Sequence, residues 1–179
     1  SRLDMRLASK FRNESIIDQA VKNLKKDYDF IIYDTAPALN LLTMNVFITS
    51  DEIIIPAEAD VFSIKAIYSM KETIEEVRKY HTLGILGILL TRVERLSGDK
   101  QITDNSGELA EIFKTKTFSN HIKAQKNVKA SRLEATNVVK YSEENRRKGH
   151  NDAGQDYEKF ADELLEELEA KYGSTAKQN

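Results

Sequence analysis

Asp29-Phe30-Ile31-Ile32-Tyr33-Asp34-Thr35-Ala36-Pro37 is the stretch whose reading decides the fold. Its run of apolar and aromatic residues, with two β-branched Ile at its centre, predicts a strand buried on both faces. The run stops on a carboxylate, and Thr35 and Pro37 break it. Open parallel sheets bind ligands beyond the C-terminal ends of their strands, so Asp34 stands where a ligand would sit. In a phosphate-handling protein such a carboxylate holds Mg²⁺, directly or through water, in the arrangement called Walker B. The same residues also read as a strand closed by an Asx-type turn.

Outward from this stretch, helical and extended patterns alternate. Before it, Ile16, Ile17, Ala20, Val21 and Leu24 share one helical face within Ser15–Lys26, with Ser15 or Asn13 as cap. After it, Pro37 and Asn40 predict a loop, Leu41–Thr49 a helix, and Glu52–Pro56 a second buried strand. Ser63 caps a helix that keeps its spacing through Ile64, Ile67, Met70, Ile74 and Val77 to about Tyr80. Gly84–Leu90 is a third strand, and a polar loop, Thr91–Asp104, follows. Ser106–Phe113 predicts a short helix with Leu109, Ile112 and Phe113 inward, and Thr115–Phe118 a fourth strand. A short helix near Asn127–Ala135 and a weak apolar pair, Val138-Val139, lead to a closing helix, Tyr157–Tyr172. That helix has Phe160, Leu164, Leu165 and Leu168 on one face, Glu on the other, and Gly173 as its stop. Residues 1–12 are basic and carry no clear pattern. The alternation predicts parallel βαβ units: an α/β fold, a mostly parallel sheet with helices on both faces. No repeat or linker divides the chain, so residues 1–179 are expected to form one domain.

The chain has no cysteine, which excludes disulfides and cysteine-ligated zinc and fits a cytoplasmic protein. His81, His121 and His150 have no ligand spacing, so a His-based metal site is not expected. No apolar run reaches the length of a membrane span. Net charge is −2, but Lys114–Lys148 carries ten Lys/Arg against three Glu, or +7, leaving −9 elsewhere. Such asymmetry points to an anionic partner on one region, against the alternative of a solvated face.

The order of motifs resembles the ParA/Soj family of partition ATPases, in the MinD/ParA superfamily. The likeness runs from the Asp34 strand through Pro37, Leu41-Leu42-Thr43-Met44-Asn45, Asp51 and Ile53-Ile54-Ile55-Pro56. It continues through Glu58, Asp60 and Ser63 to Gly87-Ile88-Leu89-Leu90-Thr91, and returns at Lys126-Asn127-Val128. It spans roughly residues 27–170. The resemblance implies a P-loop NTPase fold, ATP and Mg²⁺ as cofactors, an ATP-dependent homodimer, non-specific DNA and a centromere-binding partner protein. It implies a cytoplasmic, nucleoid-associated protein of plasmid or chromosome partition, and residues 150–179, with eight Asp/Glu against three Lys, speak against a membrane anchor.

Residue by residue, the resemblance makes Asp34 the Mg²⁺ carboxylate and Thr35 to Asn45 a switch sensing the γ-phosphate. Thr35, Pro37, Thr91, Lys126 and Asn127 fall at nucleotide-binding positions, although Asn127 is equally a helix cap. Ala36 replaces a Pro common in the family, and Ile122-Lys123-Ala124-Gln125 replaces its usual Ile-Pro link. The DNA-binding set is Lys123, Lys126, Lys129, Arg132, Arg146, Arg147 and Lys148. The family's Gly-rich phosphate loop, ending Gly-Lys-Thr or Gly-Lys-Ser, is absent from the 179 residues, and no catalytic residue is identifiable. The chain is therefore read as the C-terminal part of such an ATPase, lacking the P-loop, and is expected to be inactive by itself. The competing reading is a non-enzymatic DNA- or partner-binding module that kept the fold without the phosphate site.

Overall fold

A computed structural model describes residues 16–35, 41–58, 64–94, 99–144 and 153–173. They fall into two compact units, the first from Ser1–Ile53 with Ser63–Leu86, the second from Ile54–Phe62 with Gly87–Asn179. In the first, α1 (Ile16–Val21) is followed by a 3-10 turn, Leu24–Lys26, where the sequence predicts one longer helix. α2 (Leu41–Thr49) falls where it is predicted. Its Thr43, Val46 and Phe47 are buried, the i, i+3, i+4 set of one helical face. The hydroxyls of Thr49 and Ser50 close its end by donating to the carbonyls of Asn45 and Val46.

β1 (Glu52–Glu58) and β2 (Gly84–Thr91) pair, joined by α3 (Ile64–Arg78). Gly84 N–H donates to Asp51 O at their beginnings, and Thr91 Oγ1 donates to Ala57 O at their ends. Start meets start and end meets end, so the pair is parallel, a βαβ unit. Ile74 and Val77 of α3 are buried as its periodicity predicts. Arg78 Nε donates to Leu83 O at 2.7 Å and fixes the turn from α3 into β2. Ser63, the predicted cap of α3, lies outside the described residues.

β2 is the strand with a continuous buried run, Leu86 to Leu90. The sequence assigns that role to residues 30–34 as well. The structure gives 28–35 no strand, with Phe30 52% and Ile32 88% exposed. The reason is physical: a doubly buried strand needs a hydrogen-bonded neighbour, and none pairs with 28–35 among the described residues.

In the second unit, α4 (Asp99–Phe113) starts well before the predicted Ser106, inside the supposed polar loop. Leu109 and Phe113 are buried as expected, and the helix ends in a left-handed Lys114, φ 51°. The predicted fourth strand is an extended segment, 116–124, touching β2 and Val93 through two isolated parallel bridges, Ile88 to Thr117 and Val93 to Lys123. Hydrogen bonds Ile88 N to Lys116 O, Phe118 N to Ile88 O and Ile122 N to Leu90 O hold it there. α5 (Lys126–Leu133), α6 (Val138–Glu144) and α7 (Ala153–Tyr172) follow and pack in sequence. α6 replaces the weak apolar pair, and α7 starts four residues before the predicted Tyr157.

Phe118 is buried and meets Phe160 of α7 edge to face, centroids 5.1 Å apart. Gly87 makes this possible, since a Cβ there would lie 2.8 Å from the Phe118 ring. Gly87→Ala therefore forces that aromatic pair apart. A loss of about 1–3 kcal/mol is expected, read as a lower urea midpoint at unchanged m-value.

Candidate functional site

Asp34 and Thr35 are exposed and lie in the irregular segment 28–35. Burial raises the phenol of neighbouring Tyr33 above its ordinary value, and the ammonium of Lys25 opposes this. Pro37 lies outside the described residues. No cluster of three metal-ligating side chains occurs among the described residues. Mg²⁺ fits such a place because it takes one or two carboxylates and draws its remaining oxygens from water and phosphate. A single exposed Asp34 matches that donor set and not an all-protein cage.

Thr91 closes β2 in the second unit, its hydroxyl occupied by the Ala57 carbonyl at 3.3 Å. The next residue, Arg92, is left-handed at φ 52°, and its Nη1 sits 3.0 Å from Glu58 Oε1 at the end of β1. Sequence reasoning had placed Arg92 in a polar loop and Glu58 in the family likeness without joining them. They are 34 residues apart, and the βαβ unit brings them together.

The basic segment resolves into paired and unpaired cations. Lys116 pairs with Glu167 and lies 5.8 Å from the Phe118 ring centroid. Lys123 lies 3.6 Å from Asp156, and Lys140 3.9 Å from Glu144. Lys126, Lys129 and Arg132 of α5 are exposed, with no carboxylate in ion-pair range among the described residues. Leu133, 79% exposed, ends the same helix. Arg146, Arg147 and Lys148 lie outside the described residues, as does the side chain of Asn127; its backbone is in the first turn of α5.

α7 explains the sorting. Asp156, Glu163 and Glu167 are spaced seven and four residues apart, within roughly 20° of one line on the helix. They meet residues 116–125 in reverse order, Glu167 at Lys116, Glu163 at Ser119 and Asn120, and Asp156 at Lys123 and Gln125. Glu163 accepts the N–H of Ser119 at 2.7 Å and of Asn120 at 2.8 Å, with a third bond from the Asn120 amide. The sequence sets Leu165 on the inner face and the acids outside. Leu165 is 45% exposed, because it lies about 180° from Asp156. The i, i+7, i+11 spacing of acids was legible, but their targets were not.

A family model described as an AAA domain matches residues 1–85, including the first 26, where the sequence showed less of a pattern. The chain is 28% identical to the sporulation initiation inhibitor Soj of Bacillus subtilis, over 51% of this chain and 37% of that protein. It is 28% identical to the chromosome partitioning protein ParA of Myxococcus xanthus, over 64% and 41%. Over these stretches the chain is similar to partition proteins of the ParA/Soj type. An uncharacterised protein of Methanocaldococcus jannaschii is 32% identical over 54% of this chain and 39% of its own length. The matched stretches thus cover well under two thirds of these relatives. Among solved structures, apo McdA of Cyanthece superposes with TM-score 0.69 at 20% identity, over 89% of this chain and 62% of that one. Cobyrinic acid a,c-diamide synthase of Mycobacterium smegmatis, with bound ATP analog and magnesium, gives 0.66 at 21%, over 95% and 60%. These likenesses agree with the α/β fold and its parallel sheet.

Burial raises the Glu163 carboxyl, but the amides of Asn120 and Ser119 outweigh it and hold the group below its ordinary value. A lowered acid stabilises the fold above its unfolded pKa and loses that contribution as pH falls through the folded value. Glu163→Gln is expected to cost about 1 kcal/mol at pH 7. The gap to wild type should close as pH falls below the ordinary Glu range, which urea unfolding from pH 7 to 3 measures.

Proposed function

We propose that this chain is part of a partition ATPase, plasmid or chromosomal. The observation that carries the reading is the ordered set of family motifs along the chain, with Asp34 after the apolar run 30–33. In the whole protein, MgATP is hydrolysed, ATP drives a homodimer, DNA is bound without sequence preference, and a centromere-binding protein is the partner. The protein is then cytoplasmic and nucleoid-associated, with no membrane partner; no described helix is long and apolar enough to cross a membrane.

In this reading Asp34 holds Mg²⁺, which supplies charge stabilisation to the transferring phosphoryl group. Thr35 and Pro37 flank the γ-phosphate, Thr91 lies at a nucleotide-binding position, and Asn127 lies toward the base. The phosphate loop that such hydrolysis uses does not occur within these 179 residues. A strand leading into that loop would pair with residues 29–34 and cover Phe30 and Ile32, whose exposure in this structure supports the need for such a neighbour. The non-enzymatic alternative draws on the same absence of a Gly-Lys-Thr/Ser sequence. Turnover separates the two: in the full-length protein Asp34→Ala is expected to lower kcat at least a hundredfold, measured by phosphate release. A near-normal kcat would remove the Walker B assignment.

DNA contact is assigned to Lys126, Lys129 and Arg132, the exposed cations of α5, with Arg146, Arg147 and Lys148 beyond them. Phosphate contacts release counter-ions, so binding should weaken steeply with salt and ignore sequence. Replacing Lys126, Lys129 and Arg132 together with Ala should flatten the slope of log K against log salt by up to about 3. Fluorescence anisotropy on duplex DNA, with full-length protein and MgATP, reads that slope. ATP hydrolysis without DNA should survive; its loss would place Lys126 at the nucleotide instead.

A further inference from the structure

Lys123 and Lys126 are equivalent in sequence, three residues apart in one basic run. Their surroundings differ. Lys126 is exposed, with no carboxylate in ion-pair range among the described residues, whereas Lys123 is held over Asp156. Asp156 is 5% exposed. Lys123 is the cation within 4 Å of it among the described residues, at 3.6 Å. A buried carboxylate needs hydrogen bonds and an opposite charge, and it has both. Lys123 N–H donates to Oδ2 at 3.1 Å, and the side-chain amide of Gln125 donates to the same oxygen at 3.3 Å. Gln125 is also the N-cap residue of α5, and its side chain makes no capping bond. The same carboxylate therefore fixes the backbone at Lys123 and tethers the residue that begins α5.

We propose that Asp156 is an internal counter-ion that withholds Lys123 from DNA, leaving α5 to make the phosphate contacts. The inference rests on the reading that α5 binds DNA. Drawing Lys123 away to a phosphate would strand a buried charge, a larger loss than a solvent-exposed ion pair returns. Asp156 is thus a positioning residue, setting how many phosphates the basic segment neutralises. Glu167 pairs with Lys116 at the other end of the acidic line on α7, but that pair is exposed to solvent.

The test is a salt titration of labelled duplex DNA binding by the full-length protein with MgATP. Lys126→Ala should flatten the slope of log K against log salt by about 0.9, the contribution of one phosphate contact. Lys123→Ala should leave the slope unchanged. Asp156→Asn keeps a side-chain oxygen for the Lys123 amide but removes the charge, so it should steepen the slope by about 0.9 as Lys123 is released. Adding Lys123→Ala to Asp156→Asn should restore the wild-type slope. A purely structural Asp156 would give a flat or shallower slope that Lys123→Ala does not correct, and that result overturns the proposal. So does a Lys123→Ala slope that falls as far as that of Lys126→Ala, which decides the matter even if Asp156→Asn does not fold. An unchanged slope in Lys126→Ala would overturn the DNA reading of α5 and this inference with it.

Discussion

β2 is buried on both faces from Leu86 to Leu90, and a strand so placed must satisfy its backbone on both sides. β1 supplies one neighbour and the extended segment 116–124 supplies contacts through Ile88 and Leu90. Much of the second unit follows from that requirement. Segment 116–124 must lie against β2, so Phe118 is carried inward and Gly87 must stay small beneath it. Phe118 in turn needs a cover, and Phe160 of α7 provides it.

Once α7 is docked, its acids acquire work. Backbone N–H groups at Ser119, Asn120 and Lys123 turn toward the helix, and Glu163 and Asp156 accept them. Regular ladder contacts break between Phe118 and Ile122, and Glu163 takes the amides of Ser119 and Asn120 within that gap. Asp156 also neutralises Lys123, and Glu167 of the same helix neutralises Lys116. A strongly basic segment is thereby divided into cations that hold the fold and cations that face solvent. The division bears on the proposed DNA contact, because a phosphate-binding surface is counted in free cations and not in composition.

The segment 28–35 shows the opposite case. It carries the apolar run expected of a central strand, with Asp34 at its end, yet Ile32 is 88% exposed. Apolar side chains alone do not make a strand; the backbone must have something to pair with. Its sequence reads as a strand, but no neighbour pairs with it among the described residues.

Periodicity and punctuation in the sequence determined the α/β class, the helix Leu41–Thr49, the strand that begins at Gly84 and the stop at Gly173. These are local properties: apolar spacing, hydroxyl caps and a glycine where the chain leaves a helix. Motif order, also local, carried the resemblance and singled out Asp34 as a candidate. Tertiary structure alone decided the rest. Residues 138–144 became a helix because they pack between α5 and α7, where apolar pattern by itself was too short to signal one. Leu165 faced outward because the docking of Phe160 set the rotation of α7. Lys123 and Lys126 parted company because one lies against Asp156, 33 residues away, and the other does not. Charge partners distant in the chain are invisible to composition, since the fold chooses which opposite charges meet.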